Sequence, residues 1–207
     1  MIYDISPPIS PALKVWPGDV PPARTVQSDM AAGDNLTLSA LTTSVHVGAH
    51  ADAPSHYGAA APAIHERSLD LYLGPAHVVR LAVPRGALLR PDALRDRVRA
   101  PRVLFATGTF PDPTAFNEDF AGFAPELIDH LHDRGVRLIG TDAPSIDRFD
   151  SKDLPAHNAC LRHDMAILEG LALDAVPEGV YELIALPLRL VGYDGSPVRA
   201  VLRDLAR

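Results

Sequence analysis

The chain has 207 residues, of which 47% are hydrophobic and 22% charged, and this composition predicts one globular domain over residues 1–207. Its net charge of −7, without a cluster of Lys and Arg, argues against nucleic acid and anionic membranes as partners and favours a small-molecule ligand. The first residues, MIYDIS, lack a signal-peptide pattern, and no stretch reaches the roughly 18 apolar residues of a membrane span, so we expect a cytoplasmic protein.

Strand-like runs and two helices alternate along the chain and predict a mixed α/β fold. The predicted strands are Ile2–Ile5, Leu36–Val47, Ala76–Val83, Arg102–Thr107, Val136–Thr141, Val180–Leu186 and Val198–Leu202. Two segments that begin with Pro have the pattern of a helix, Pro91–Val98 and Pro125–Arg134, and the second stops at Gly135. The order strand, helix, strand between Arg102 and Thr141 predicts one β-α-β unit.

The segment from His46 to His56, HVGAHADAPSH, holds three histidines and one aspartate, all at even positions. In an extended strand alternate side chains project to one face, so His46, His50, Asp52 and His56 would lie on the same side. The glycine and proline in this segment argue against a helix, and the proline is expected to end the strand and displace His56. Crowded imidazoles and a carboxylate need a cation nearby, so the motif predicts a divalent-metal site.

Other residues that could bind metal are less conclusive. The only cysteine, Cys160, excludes an intrachain disulfide and is interpreted as a buried apolar residue, so the ligands must be His, Asp and Glu, which suit zinc, manganese or iron. His157 and Glu169 lie twelve residues apart in an apolar region, and spacing alone leaves open whether they are ligands, or a helix-start residue and a solvated loop residue. Asp142 and Asp147 follow a predicted strand end, where Asp commonly forms turn hydrogen bonds.

The histidine motif resembles the H-x-G-T-H-x-D-x-P-x-H signature of the cyclase-like metal-dependent hydrolases. The similarity covers nearly the whole chain and includes the segments 16–19 (WPGD), 73–76 (LGPA), 140–147 (GTDAPSID), 154–157 (LPAH) and 194–200 (DGSPVRA). Ala49 stands where the family has Thr, but this position is not a ligand position. The Gly-Ala-His sequence and the WPGD segment are similar to the branch that hydrolyses N-formyl-L-kynurenine rather than to the branch that hydrolyses isatin.

This resemblance implies a swivelling β/β/α fold with a mixed sheet, a homodimer, and a centre of two divalent metal ions, zinc in the first instance and manganese as the alternative. It assigns His46, His50 and Asp52 to the first metal ion. It assigns Asp52, His157 and Glu169 to the second, with Glu169 shared by both ions. It assigns His56 to proton transfer and Trp16 to substrate contact. For His56 the alternative is a fourth metal ligand. For Trp16 the alternative is packing of the proline-rich N-terminal arm against the core.

Three hypotheses for the function follow. The first is a zinc-dependent amide hydrolase that converts N-formyl-L-kynurenine and water to L-kynurenine and formate in tryptophan degradation. The second is a hydrolase of isatin or of another cyclic amide or lactone, and the third is a non-catalytic metal-binding protein. A structural zinc site is closed by four ligands, whereas His56 exceeds a full ligand set here, which favours catalysis.

Overall fold

The computed structural model describes residues 1–94 and 97–205. Its strands, in chain order, are β1 (Ile2–Asp4), β2 (Ala23–Ser28), β3 (Leu38–Thr42), β4 (His50–Asp52), β5 (Leu73–Arg80), β6 (Leu88–Leu89), β7 (Arg102–Ala106), β8 (Gly122–Phe123), β9 (Leu138–Thr141), β10 (Ala166–Glu169), β11 (Gly179–Ile184), β12 (Gly195–Pro197) and β13 (Val201–Asp204). The helices are α1 (Pro125–His132) and α2 (Pro155–Arg162). Neither they nor the short 3-10 helices of the described ranges are long and apolar enough to cross a membrane.

A mixed sheet of nine strands forms the centre of the fold, in the order β1-β13-β11-β5-β7-β9-β10-β4-β12. The four central strands β5, β7, β9 and β10 run parallel, and antiparallel strands flank them on both sides. The expected mixed α/β fold is therefore confirmed.

The predicted β-α-β unit is present. Strands β7 and β9 pair in parallel, with Arg102 opposite Leu138, and α1 connects them. Pro125 occupies the first turn of α1, where its missing N–H costs no hydrogen bond. The helix ends at His132, two residues before the predicted end, as the chain turns at Gly135 with a φ of +78°.

Alternating side chains of the parallel strands face two separate cores. Leu104 and Leu168 belong to the core on one side of the sheet, and their neighbours Phe105 and Ile167 belong to the core beneath α1 and α2. Strands buried on both faces lose the alternation of polar and apolar residues that marks a surface strand, as expected for parallel strands in an α/β fold. The two packed faces hold β10 and α2 in fixed positions, and both elements contribute to the site described below.

The prediction of one strand over Leu36–Val47 that leads into the histidine motif was wrong. Residues Leu38–Thr42 instead pair with Ala23–Ser28 in a separate exposed hairpin, and the strand within the motif is only His50–Asp52. Gly48, with a φ of +57°, interrupts the extended chain between them. The predicted helix over Pro91–Val98 begins as a 3-10 helix, Pro91–Leu94, and residues 95–96 of that prediction lie outside the described residues.

Candidate metal centre

The three residues of β4 bring two predicted ligands to one face of the sheet. His50 and Asp52 are two positions apart and point the same way. The antiparallel neighbour β10 places Glu169 directly opposite His50. All three residues are at most 3% exposed, so the sheet buries two carboxylates and an imidazole.

The first turn of α2 adds His157, and four side chains then converge. His50 Nε2 lies 3.4 Å from both Asp52 Oδ1 and Glu169 Oε2. His157 Nε2 lies 3.3 Å from Asp52 Oδ2 and 3.4 Å from Glu169 Oε1. Each carboxylate therefore faces both imidazoles, one with each oxygen.

The opposite nitrogen of each imidazole is already bound. His50 Nδ1–H donates to the carbonyl oxygen of Gly48 at 2.8 Å, and His157 Nδ1–H donates to Asp147 Oδ2 at 2.8 Å. These hydrogen bonds turn both Nε2 atoms towards the carboxylates, as a backbone carbonyl or carboxylate does behind a metal-binding histidine. Two inward Nε2 atoms and four carboxylate oxygens form a donor set that fits a divalent cation.

Asp147 holds His157 in this orientation through the backbone as well. Its Oδ1 accepts from the N–H of Ala156 and its Oδ2 from the N–H of His157, each at 3.0 Å, so it satisfies two free N–H groups at the start of α2. The hydrogen-bonding role predicted for Asp147 agrees with these contacts. Sequence analysis did not anticipate that the residue also orients a ligand.

His46 reaches the same centre from the irregular chain before Gly48. Its Nδ1 lies 3.0 Å from Asp52 Oδ1, and its Nε2 lies 3.0 Å from Asp194 Oδ2. Burial on its own would lower the pKa of His46, but the hydrogen bonds and charges of Asp52 and Asp194 outweigh it and raise the pKa to about 9. The motif thus gathers His46, His50 and Asp52 as expected, but by a bend in the chain rather than along one strand.

The same electrostatic pattern extends through the buried cluster. Burial alone would lower the pKa of His157, but its hydrogen bonds with Asp147, Asp52 and Glu169 raise it well above the usual value. Burial alone would raise the pKa of Asp52, yet hydrogen bonds with His157 and His46 hold it well below the usual range. The carboxylates thus favour positive charge on His46 and His157, and a divalent cation would replace protons there on binding.

His56 lies at the exposed edge of this cluster, with one ring nitrogen within 4.8 Å of ligand atoms of His46 and Asp52. It lies in a 3-10 helix, Pro54–His56, that begins with the expected proline and moves the ring off the line of β4. Its ring centroid lies 4.1 Å from that of His46 and 6.3 Å from that of His157, and its Nδ1 lies 3.2 Å from Asp194 Oδ2. The side chain of His56 is 37% exposed, whereas those of His50 and His157 are each 4% exposed.

A cavity of about 490 Å³ opens onto the cluster, with His46, His50, His56, His157 and Glu169 among its lining residues. Trp16 lines the same cavity. Its ring also packs 4.9 Å from that of Phe149 and meets Phe116 and Phe120 edge to face. Trp16 thus lies where it could contact a substrate in the cavity and where it also packs against an aromatic group, so its position is compatible with both roles considered for it.

Two further carboxylates that line the cavity are Asp142, for which the sequence suggested turn hydrogen bonds, and Asp194, to which it gave no role. Asp142 is buried and accepts from the N–H groups of Thr107 and Gly108 and from the Thr107 hydroxyl, at 2.8, 2.7 and 2.6 Å. Burial, opposed by these hydrogen bonds, raises its pKa, and its contacts fix the chain that leaves β7. Asp194 contacts His46 and His56, and its place in the DGSP segment was the only signal that could have found it.

Comparison with known proteins identifies related chains. The profile of a family described as putative cyclase matches residues 3–148. The chain is 47% identical over 207 residues to the kynurenine formamidase of Bordetella pertussis, covering 99% of each chain. A solved structure described as a potential metal-dependent hydrolase with cyclase activity superposes with a TM-score of 0.87 at 29% identity, covering 100% of this chain and 99% of the other. Isatin hydrolase A from Labrenzia aggregata shares the fold, with a TM-score of 0.85 at 24% identity and coverage of 98% and 93%.

Proposed function

Because the chain belongs to the putative cyclase family, we propose that it is a metal-dependent amide hydrolase that converts N-formyl-L-kynurenine and water to L-kynurenine and formate. The observation that carries this proposal is the buried cluster of two inward imidazoles and two carboxylates, open to a cavity beside an accessible histidine. The similarity to a kynurenine formamidase over the full chain supports the choice of substrate.

Two zinc ions are the proposed cofactors, with manganese as the alternative. His46, His50 and Asp52 would hold the first ion, and Asp52, His157 and Glu169 the second, with Glu169 reaching both. Carboxylates suit the shared positions because each has two oxygens, whereas an imidazole that donates through one nitrogen has only one left. When bound, such ions supply Lewis acidity for the carbonyl and lower the pKa of water.

His56 is proposed to move the proton during hydrolysis. As water attacks the formyl carbon, the imidazole accepts the proton of the water, and it returns this proton to the aryl nitrogen as the C–N bond breaks. Without that proton the aromatic amine would leave as an anion. Its exposed ring at the cavity supports this role, and its proximity to His46 and Asp52 keeps a fourth ligand as the alternative that the substitution described below tests.

The cavity offers a place for each end of the substrate. Trp16 presents an aromatic face on which the aryl ring can stack. Lys14 lies in the lining segment 13–16 beside Trp16 and is the only Lys or Arg among the described residues that line the cavity. Its backbone N–H donates to the carbonyl oxygen of Pro113 at 2.9 Å. We assign its ammonium group to the α-carboxylate of the substrate.

The test is a formamidase assay of the purified protein on N-formyl-L-kynurenine and on isatin side by side, with metal analysis before and after chelation. We expect formate release that chelation abolishes and zinc restores, and faster turnover of the linear amide. Preferential hydrolysis of isatin would refute the substrate assignment, and bound metal without either activity would indicate a non-catalytic metal-binding protein.

The role of His56 is tested by His56→Ala, with the helix-surface substitution His132→Ala as the matched control. We expect His56→Ala to lower kcat by roughly 10²- to 10⁴-fold, the contribution of a general acid-base, while the metal content stays unchanged. The control should keep full activity, because His132 stacks on His163, outside the residues that line the cavity. Loss of stoichiometric metal in His56→Ala would make it a ligand instead.

A homodimer is also proposed, on the evidence of the β2–β3 hairpin. Val26, Leu38 and Leu41 on its two strands are each 47% or more exposed. A two-stranded hairpin is marginally stable in water unless something covers it, and a second copy of the chain would do so. Light scattering during size-exclusion chromatography should give twice the chain mass, and Leu41→Glu should shift it towards the monomer. A wild-type monomer at micromolar concentration would contradict the proposal.

A further inference from the structure

We propose that Asp194 is a positioning residue whose carboxylate orients both His46 and His56, and so selects the nitrogen that each histidine presents. This inference rests on the proposed role of His56 in proton transfer. The observation behind it is that one oxygen atom, Asp194 Oδ2, lies 3.0 Å from His46 Nε2 and 3.2 Å from His56 Nδ1. The two rings also face each other at a centroid distance of 4.1 Å, tilted by 36°.

The proton positions follow from the chemistry of these groups. An ionised carboxylate has no hydrogen to donate, so both hydrogen bonds must come from the imidazoles. His56 therefore carries a proton on Nδ1, which leaves Nε2 as the nitrogen with a lone pair for the substrate. The same arrangement of Asp behind His fixes the tautomer of the general base in serine proteases.

The same reasoning applies to His46. Its Nε2 is held by Asp194 and its Nδ1 faces Asp52, so Nδ1 is the nitrogen on the side of the proposed metal ligands. His50 and His157 show the opposite arrangement, with Nε2 facing the carboxylates. Asp194 thus joins the edge of the metal centre to the proton-transfer histidine through one oxygen atom.

The backbone around Asp194 is firmly held, although its side chain is about half exposed. Its carbonyl oxygen accepts from the N–H of Ala53 at 2.8 Å, directly before the 3-10 helix that carries His56. The next residue, Gly195, pairs with Asp52 in the sheet. A Cβ atom at Gly195 would lie 2.8 Å from His46 Cε1, so the absence of a side chain there lets the ring of His46 reach Asp194.

The proposal is tested by Asp194→Asn, with Asp129→Asn as the matched control. Asp129 also accepts from a histidine, His163 Nε2 at 2.7 Å, but on the outer surface of the helices. The asparagine amide at position 194 can donate to Nδ1 of His56, which would favour the tautomer protonated on Nε2. We expect kcat to fall by roughly 10²-fold or more with KM changed less than about threefold, and the control to match the wild type.

A second measurement does not depend on any substrate. Long-range ¹H–¹⁵N spectra of the metal-free protein at about pH 8, where a free histidine is neutral, should show His56 protonated on Nδ1 in the wild type and shifted towards Nε2 in Asp194→Asn. The His56 signals are assigned by their loss in His56→Ala. If formamidase activity proves absent but this shift occurs, the proposed function fails and the positioning role stands.

Three results would overturn the inference. The first is an unchanged His56 tautomer in Asp194→Asn. The second is a loss of kcat in Asp194→Asn no greater than that in Asp129→Asn. The third is the loss of one equivalent of bound zinc with an unchanged tautomer, which would make Asp194 a metal ligand rather than a positioning residue.

Discussion

Substitution of Gly170 by Ala tests whether the backbone behind His50 determines metal binding. Gly170 follows β10 directly after Glu169 and has a φ of +65°. A Cβ atom there would lie 2.2 Å from the carbonyl oxygen of Gly48, which accepts the hydrogen bond from His50 Nδ1. The added methyl group must therefore push Gly48 away or distort the end of β10, and either movement disturbs His50.

The size of the effect can be worked from these contacts. A left-handed conformation costs an L-residue about 1–2 kcal/mol. Loss of the hydrogen bond from His50 adds about 0.5–1.5 kcal/mol. The structure must also shift to remove the overlap with Gly48, which costs further free energy. The expected total loss in the free energy of unfolding is about 2–4 kcal/mol. Removal of a partner behind a metal-binding histidine typically weakens metal binding by roughly 10- to 100-fold.

The matched control is Gly135→Ala, and the assays are urea unfolding and zinc competition with a chromophoric chelator. Gly135 has a φ of +78°, but a Cβ atom there would meet nothing within 4 Å. The control should therefore show only the conformational cost of about 1–2 kcal/mol, with unchanged zinc affinity. Equal losses of stability in the two variants, together with equal zinc affinity, would refute the reasoning.

Two further predictions concern the cavity. Trp16→Ala should raise KM for N-formyl-L-kynurenine about 3- to 10-fold, the value of one aromatic contact, and lower Tm because the ring also packs on Phe149; a large drop in Tm with unchanged KM would leave packing as its only role. Lys14→Met should raise KM about tenfold at constant kcat, as expected for one hydrogen bond to a charged group. It should not affect hydrolysis of formanilide, which lacks the carboxylate, and equal effects on both substrates would contradict the assignment of Lys14.

The central elements of the fold could be predicted because their sequences carry local signals. Pro125 and Gly135 bracket α1, and the apolar runs on either side form the parallel pair β7 and β9. Strand β10, Ala166–Glu169, was not predicted because a buried run of only four residues cannot be distinguished from a helical segment by its periodicity. Helix α2 was not predicted as an element, although Pro155 in its first turn is the same start signal as Pro125 in α1, and a helix start was only an alternative for His157.

The site could be predicted in part for the same reason. The residues His46, His50 and Asp52 lie close together in the sequence, so their spacing alone indicated a cluster of ligands. The bend that brings His46 to Asp52 depends on the left-handed conformation of Gly48, which the strand interpretation did not include. Asp194 is distant in the sequence and is brought next to His46 by the pairing of β12 with β4. A local sequence pattern cannot indicate such a long-range contact.

The separation of the candidate ligands along the chain has a consequence for biosynthesis. Glu169 follows Asp52 by roughly 120 residues, so at about 5–20 residues per second the ribosome finishes the second group of ligands roughly 6 to 24 s after the first. A metal ion that meets the growing chain finds only an incomplete set of ligands. With the proposed ligand set, the choice of metal would be made by the nearly finished protein, after β10 has paired with β4, and not by the histidine-rich segment as it emerges.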